Sequence, residues 1–209
     1  MQRAFCPDSC SSQGRREKWL AAPKKEKRFS EMNQNLKKMV MAALFAALAC
    51  VATMSIRIPT PGTNGYIHPG DAMVVLAGVF LGPIWGLLAA GIGSAMADLL
   101  GGYFLYVPIT FAVKGAVAFV AGVLYQKTGR TAKSRYFAVV LGGVGDIVLV
   151  AGGYFLCEYL IYGPSAAASV PANIIQGISG LAISLLLYPM LCKVPQIRQS
   201  VLADSSGNF

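Results

Sequence analysis

Apolar residues fill most of the chain between positions 39 and 192, in long runs that are interrupted by clusters of Gly and Pro. A helix needs ~20 apolar residues to cross the hydrocarbon core of a bilayer. Because clusters of Gly and Pro end helices, they divide the apolar region into separate predicted spans. These spans cover residues 39–56, 71–81, 84–100, 107–126, 136–162 and 171–192. The pattern predicts an all-α polytopic membrane protein that folds as a bundle of six transmembrane helices.

The composition agrees with this prediction and excludes several classes of protein. Hydrophobic residues make up 55% of the 209 residues and charged residues only 13%, which is too apolar for a soluble domain. The sequence contains no G-x-x-x-x-G-K-[ST], H-E-x-x-H or G-x-S-x-G motif, so neither ATP hydrolysis nor the common protease chemistries are expected. The five cysteines are dispersed and there is one His, so no metal site is expected. We predict that the protein is not an enzyme and needs no cofactor.

Basic residues lie almost entirely on one side of the predicted bundle. Of 18 Lys and Arg, ten precede the first span, four lie in the connector 127–135 and two follow the last span. Cytoplasmic loops carry the excess of positive charge, so a cell-membrane protein with both termini in the cytoplasm is predicted. The net charge of +9 then reflects topology and contact with anionic lipids in the bilayer, and no binding of nucleic acid.

Three regions of the chain are predicted from composition. Residues 1–31 are basic and lack apolar periodicity, which indicates a disordered N-terminal extension, either real or the product of an upstream start codon. Residues 32–195 hold the predicted spans, and residues 196–209 form a predicted cytoplasmic tail.

Charged residues within spans are candidates for function because charge is costly inside a bilayer. Asp98 and Lys114 are expected at similar depth near the outer side, where they either tie two helices together or contact a ligand. Asp146 lies in the middle of the fifth span, and Glu158 lies near its outer end. Asp71 opens the second span, where an N-cap role is favoured.

Amide and aromatic side chains are predicted at the same outer side. Asn173 and Gln176 are three residues apart, so their amides share one helix face and bind either a ligand or a neighbouring helix. Tyr66 and His68 lie in a loop rich in Gly and Pro, where an aromatic side chain can cover a flat ring as a lid. An aromatic belt at the membrane interface is the alternative explanation for Tyr66 and for Tyr103.

A stripe of small residues marks the first span. Ala42, Ala43, Ala46 and Ala47 recur at helical spacing, which permits close approach of another helix. The stripe serves either internal packing or docking of a partner helix.

Five segments together resemble the substrate-binding S components of energy-coupling factor (ECF) vitamin transporters, within the group associated with hydroxymethylpyrimidine, pyridoxine and related precursors. They are PGTNGYIHPGD at 61–71, LGP at 81–83, GIGSAMADLLGGY at 91–103, PITFAVKG at 108–115 and NIIQG at 173–177. The resemblance implies six helices that capture a vitamin from outside in a pocket under the first outer loop. It also implies delivery by toppling against a transmembrane coupling protein driven by two ABC ATPases, with docking through Ala42, Ala46 and their neighbours. Pro69 and the extension 1–31 depart from the family pattern.

The leading hypothesis is therefore the membrane-embedded substrate-binding subunit of an ECF-type ABC importer for a B vitamin or vitamin precursor of the pyrimidine or pyridine type. The predicted substrate-binding residues are Tyr66, His68, Asp98, Tyr103, Lys114, Asn173 and Gln176. A self-sufficient secondary transporter is the alternative, and it would show internal repeats and a charge relay in mid-membrane. A polytopic membrane enzyme that uses Asp98 and Lys114 is the third possibility.

Overall fold

The computed structural model describes residues 35–60, 62–128 and 131–195. The predicted extension 1–31 and the predicted tail 196–209 lie outside the described residues. The described residues from Lys38 onward belong to one compact unit. This unit contains the helical bundle and the hairpin that packs on it.

The described residues are mostly helical, as predicted. The helices are α1 (Asn35–Ser55), α2 (Asp71–Leu81), α3 (Pro83–Gly101), α4 (Tyr106–Thr128), α5 (Ala132–Tyr162) and α6 (Val170–Leu191). A 3-10 segment, Gly163–Ser169, joins α5 to α6, and two short strands, β1 (Ile58–Pro59) and β2 (Tyr66–Ile67), form an antiparallel hairpin between α1 and α2. Their register places Ile58 opposite Ile67 and Pro59 opposite Tyr66.

Four helical stretches of the described chain are long and apolar enough to cross a membrane. They are Asn35–Ser55, Pro83–Gly101, Tyr106–Thr128 and the stretch Lys133–Leu191, which contains most of α5 and all of α6. Helix α2 has the predicted bounds, but its 11 residues make it too short to span a bilayer by itself. That all six helices cross the membrane, with both termini in the cytoplasm, stays a prediction.

The junction between α2 and α3 shows how Gly and Pro set the helix boundaries. Gly82 has φ +80°, a conformation that glycine adopts without steric cost. Pro83 follows as the first residue of α3, where its missing N–H leaves no hydrogen bond unmade. The chain therefore ends one helix and begins the next with a single residue between them.

Helix α2 is buried inside the bundle. All of its residues except Met73 are buried, and it packs against α3, α4, α5 and α6. Gly78 permits a very close approach to α4, because a Cβ at this position would overlap the carbonyl oxygen of Ala118. The outer surface of the bundle carries large exposed side chains such as Ile84, Leu160 and Leu186. An apolar exterior of this kind suits contact with lipid tails.

We predict that Gly78→Ala lowers the stability of the folded protein, because the added methyl group forces α2 and α4 apart. The expected loss is about 1–3 kcal/mol, as for other overpacked cores. Thermal unfolding in mild detergent measures the change. Gly152→Ala is the matched control, since a Cβ there has no neighbour within 4 Å and alanine favours the helix. Equal melting temperatures for the two variants would contradict the packing argument.

Candidate functional site

A narrow polar cavity lies between the helices and the hairpin region, by which we mean the described residues 58–60 and 62–68. The hairpin region contributes Thr60, Gly65, Tyr66 and His68. The helices contribute Asp98, Tyr106, Thr110, Tyr154, Glu158, Asn173 and Gln176. The volume open inside it is about 20 Å³, which is room for roughly one water molecule. The hairpin therefore closes the site in this conformation.

Tyr66 fastens the hairpin to α3. Its hydroxyl donates a hydrogen bond of 2.5 Å to Oδ1 of Asp98, and its ring lies 4.6 Å from the ring of Tyr103. The Arg57 guanidinium is 5.1 Å from the centroid of the Tyr66 ring, within cation–π distance. Burial, together with the adjacent Asp98 carboxylate, raises the pKa of the Tyr66 phenol above its ordinary value. Tyr66 consequently remains a protonated donor to Asp98.

His68 fastens the hairpin region to α6. Its backbone N–H donates to Oε1 of Gln176 at 3.1 Å, and its Nδ1 accepts a hydrogen bond of 3.1 Å from the backbone N–H of Gly70. Burial lowers the pKa of His68 to about 4, so the imidazole is neutral at physiological pH. Because Nδ1 is an acceptor, the ring proton is on Nε2.

Lys114 forms a buried ion pair with Asp71. The Nζ atom of Lys114 contacts Oδ1 of Asp71, and both side chains are fully inaccessible to solvent. Nε2 of Gln176 donates to the other carboxylate oxygen of Asp71 at 2.8 Å. The pair thus joins α2 to α4, and Gln176 connects it to α6 and to His68.

This arrangement corrects the prediction about Asp71 and decides between the alternatives for Asp98 and Lys114. The N-cap of α2 is Gly70, with no side-chain capping bond, so the predicted capping role of Asp71 is wrong. For Asp98 and Lys114, the alternative of a tie between their two helices does not hold, because Lys114 pairs with Asp71 and Asp98 accepts a hydrogen bond from Tyr66. The sequence singled out Asp71 but did not predict its ion pair with Lys114.

Five of the seven predicted substrate-binding residues line the cavity together. These are Tyr66, His68, Asp98, Asn173 and Gln176. The other two do not line it. Lys114 is fully buried and pairs with Asp71, whose other carboxylate oxygen accepts a hydrogen bond from Gln176. Tyr103 lines an open groove with Phe104, Leu105 and Tyr162, and this groove adjoins the cavity because Gly65 and Tyr106 line both.

The far wall of the cavity contains polar residues that were not predicted as site residues. The Tyr106 hydroxyl donates to Oε1 of Glu158 at 3.0 Å, and the Ser169 hydroxyl donates to Oε2. The hydroxyls of Thr110 and Tyr154 are 2.8 Å apart and share a hydrogen bond. Glu158 had a sequence signal as a charge within a span, whereas Thr110 and Tyr154 had none.

Asp146 and Asp71 both lie close to Gly180. A Cβ on Gly180 would lie 2.7 Å from Cβ of Asp71 and 3.4 Å from Oδ2 of Asp146. Both carboxyl oxygens of Asp146 are buried and accept no hydrogen bond from the described part of the chain. Asp146 does not line the cavity.

The four alanines of the predicted docking stripe do not share one surface. Ala42 is buried in the core, and the backbone of Ala46 packs so closely on α3 that a Cβ at Gly93 would overlap its carbonyl oxygen. Ala43 and Ala47 are exposed. Ala42 and Ala46 therefore serve internal packing, which leaves Ala43 and Ala47 available to a partner.

The chain is similar to known transport proteins. A family model described as "ECF-type riboflavin transporter, S component" matches residues 33–193. The thiamine precursor transporter HmpT of Lactococcus lactis subsp. cremoris (strain MG1363) is 27% identical over 161 residues, which cover 76% of this chain and 90% of that protein. An uncharacterised protein of Pyrococcus woesei is 38% identical over 135 residues, or 64% of this chain and 86% of that protein.

The fold is also similar to a solved structure, that of the S component of a bacterial ECF transporter. The TM-score is 0.58 at 24% sequence identity, and the match covers 76% of this chain and 96% of that structure. A likeness at this identity establishes a common fold.

We predict that Lys114→Met strongly destabilises the protein, because it leaves the Asp71 carboxylate buried and unpaired. Removing one partner of a buried pair typically costs about 3–5 kcal/mol. The double variant Asp71→Asn with Lys114→Met removes both charges and is expected to recover much of that loss. Thermal unfolding of the two single variants and the double variant gives the coupling energy. Additive effects in this cycle would contradict a direct pairing.

Proposed function

The chain belongs to the S-component family of ECF transporters, and we propose that it captures a vitamin or vitamin precursor of the pyrimidine or pyridine type from outside the cell. S components bind vitamin substrates and act with ECF modules in the membrane, and the family consists of transporter subunits, not enzymes. The observation that carries the proposal is the closed polar cavity, in which side chains of the hairpin region, α3 and α6 converge. Similarity to HmpT supports the class of ligand.

The proposed topology places α1–α6 across or within the bilayer and both termini in the cytoplasm. The basic connector between α4 and α5 includes Lys127, Lys133 and Arg135, which favours a cytoplasmic position. The hairpin, the α3–α4 turn and the 3-10 segment then lie on the outer side. In this orientation the cavity opens toward the external medium when the hairpin moves.

The hairpin acts as the lid in the proposed capture step. The closed cavity is too small for a heterocycle, so Tyr66 and His68 have to move aside before a ligand enters. The lid is held by two hydrogen bonds, Tyr66 to Asp98 and His68 to Gln176. A hydrogen bond between neutral groups adds about 0.5–1.5 kcal/mol, and one to a charged group such as the Asp98 carboxylate about 1.5–3 kcal/mol, so opening at physiological temperature is accessible.

Transport driven by ATP requires partners that hydrolyse it, because the sequence has no nucleotide-binding motif. We assign this role to a transmembrane coupling protein and two ABC ATPases. The exposed face of α1 around Ala43 and Ala47 is the proposed docking surface, since small side chains let a partner helix approach closely.

The function is tested by separating capture from transport. The purified protein in lipid nanodiscs is titrated calorimetrically, without ATP, with 4-amino-5-hydroxymethyl-2-methylpyrimidine, pyridoxine and riboflavin. We expect binding of at least one pyrimidine or pyridine ligand. Uptake into proteoliposomes is expected only when the coupling protein and ATPases are reconstituted as well.

A second candidate function, self-sufficient secondary transport, is favoured by one observation. Asp71, Lys114 and Asp146 form a buried group of ionisable residues, and such groups mark ion pathways in many transporters. Ligand accumulation driven by a pH or sodium gradient, in vesicles that contain this chain alone, would establish that function and reject the ATPase-dependent one.

We predict that Ala47→Trp abolishes uptake by the assembled transporter and leaves ligand affinity of the isolated protein within about twofold, because Ala47 is exposed on α1 and bulk there keeps a partner helix away. Ala46→Trp is expected to destabilise the isolated protein, since Ala46 packs on Gly93. Ala182→Trp, on the exposed face of α6, serves as the lipid-facing control. If Ala47→Trp and Ala182→Trp support equal uptake, docking through α1 is wrong.

A further inference from the structure

Among the described residues, the wall of the cavity contains acidic side chains but no Lys or Arg. The acidic side chains are those of Asp98 and Glu158. Lys114 is neutralised by Asp71 outside the wall. Arg57 lies against the rings of Tyr66 and Tyr103. Of the described residues, none forms a salt bridge with Asp98 or Glu158.

Asp98 presents an unused acceptor to this space. Its Oδ1 accepts the hydrogen bond from Tyr66. Its Oδ2 is buried in a side chain that is 4% exposed, and the described residues form no hydrogen bond of normal geometry to it, although the Thr110 side chain lies nearby. Buried carboxylate oxygens are normally satisfied, so an exception of this kind within a cavity points to a ligand donor.

Glu158 is fixed in position without being neutralised. Tyr106 and Ser169 donate to its two oxygens, and the side chain is 2% exposed. Both donors are uncharged hydroxyls, which orient and stabilise a carboxylate but leave its negative charge in place. A buried carboxylate without a counter-charge attracts a cation or a strong N–H donor.

The remaining walls suit a flat ring. Tyr66, Tyr106 and Tyr154 supply aromatic surfaces, and the faces of such rings attract positive charge. Asn173 and Gln176 supply amides at the α6 wall. Aromatic and amide groups alone would accept many heterocycles, so the carboxylates decide which of them binds best.

We propose that the cavity selects a flat nitrogen heterocycle that carries an amino group or a positively charged nitrogen, and that Glu158 is the residue that sets this preference. Asp98 Oδ2 accepts a second N–H donor of the same ligand. Anionic forms, such as phosphate esters, are rejected because two carboxylates face them without a free cation in the wall. This inference rests on the proposed capture function and narrows its substrate class.

The first arm of the test uses the unmodified protein and matched probes. 4-Amino-5-hydroxymethyl-2-methylpyrimidine is compared with its 4-oxo analogue, its phosphate ester and riboflavin, by calorimetric titration of the full chain in nanodiscs. We expect the amino compound to bind at least tenfold more tightly than the oxo analogue and at least a hundredfold more tightly than the ester. Equal affinities for amino and oxo compounds, or for the ester, would overturn the proposal.

The second arm assigns the preference to Glu158. Glu158→Gln is expected to weaken binding of the amino compound at least tenfold and to change binding of the oxo analogue less than threefold. Asp146→Asn, a buried carboxylate outside the cavity, is the matched control and is expected to change neither affinity by more than twofold. Tyr106→Phe removes a donor but retains the charge, so it is expected to preserve the preference.

The outcomes separate this inference from the proposed function. Tight binding of riboflavin with none of the amino compound would reject the charge preference and leave capture of a vitamin intact. Retention of the amino preference by folded Glu158→Gln would reject the role of Glu158. If none of the four probes binds the folded protein, both the proposed ligand class and this inference fail. Should Glu158→Gln not fold, the comparison of probes on the unmodified protein still decides the preference.

Discussion

The buried ion pair between Lys114 and Asp71 is the interaction on which the rest of the structure depends. An ammonium group inside a membrane bundle is tolerated only when a counter-charge and hydrogen bonds surround it. Asp71 supplies the charge, and Gln176 satisfies the second carboxylate oxygen. Because these residues come from α4, α2 and α6, the pair holds the short helix α2 in the middle of the bundle. Close packing at Gly78 then fixes its distance from α4.

The same pair determines the character of the cavity. Gln176 donates through its amide nitrogen to Asp71 and accepts through its amide oxygen from the backbone N–H of His68. The hairpin region is thereby attached to the buried pair through one side chain. Because Lys114 is paired with Asp71, it contributes no positive charge to the cavity. The charged side chains that line the cavity are then those of Asp98 and Glu158. A change at the pair would consequently alter both the lid and the electrostatics of the site.

The fold was predictable from sequence where the signals are local. Gly and Pro bound the helices because they act on their own backbone, so the junction between α2 and α3 follows directly from LGP at 81–83. The partners of charged side chains were not predictable in this way. An Asp at the start of a helix has the pattern of a cap, whereas the partner of Asp71 is 43 positions away and is found only when α2 and α4 pack. Spacing on α1 likewise could not distinguish Ala46, which faces α3, from Ala47, which is exposed.

Asp98 connects capture of a ligand to closure of the lid in the proposed site. Its Oδ1 accepts the hydrogen bond from Tyr66, and its Oδ2 is available to a donor in the cavity. A ligand that donates to Oδ2 does not compete with Tyr66 for the same oxygen. Closure over an occupied site therefore requires the cavity walls to move apart, but it does not require the loss of the Tyr66 hydrogen bond. In the closed state the ligand N–H and the Tyr66 hydroxyl stabilise the same carboxylate from two sides. Ligand binding at Oδ2 and the Tyr66 bond at Oδ1 are therefore compatible at one side chain, without any change in the buried pair beneath it.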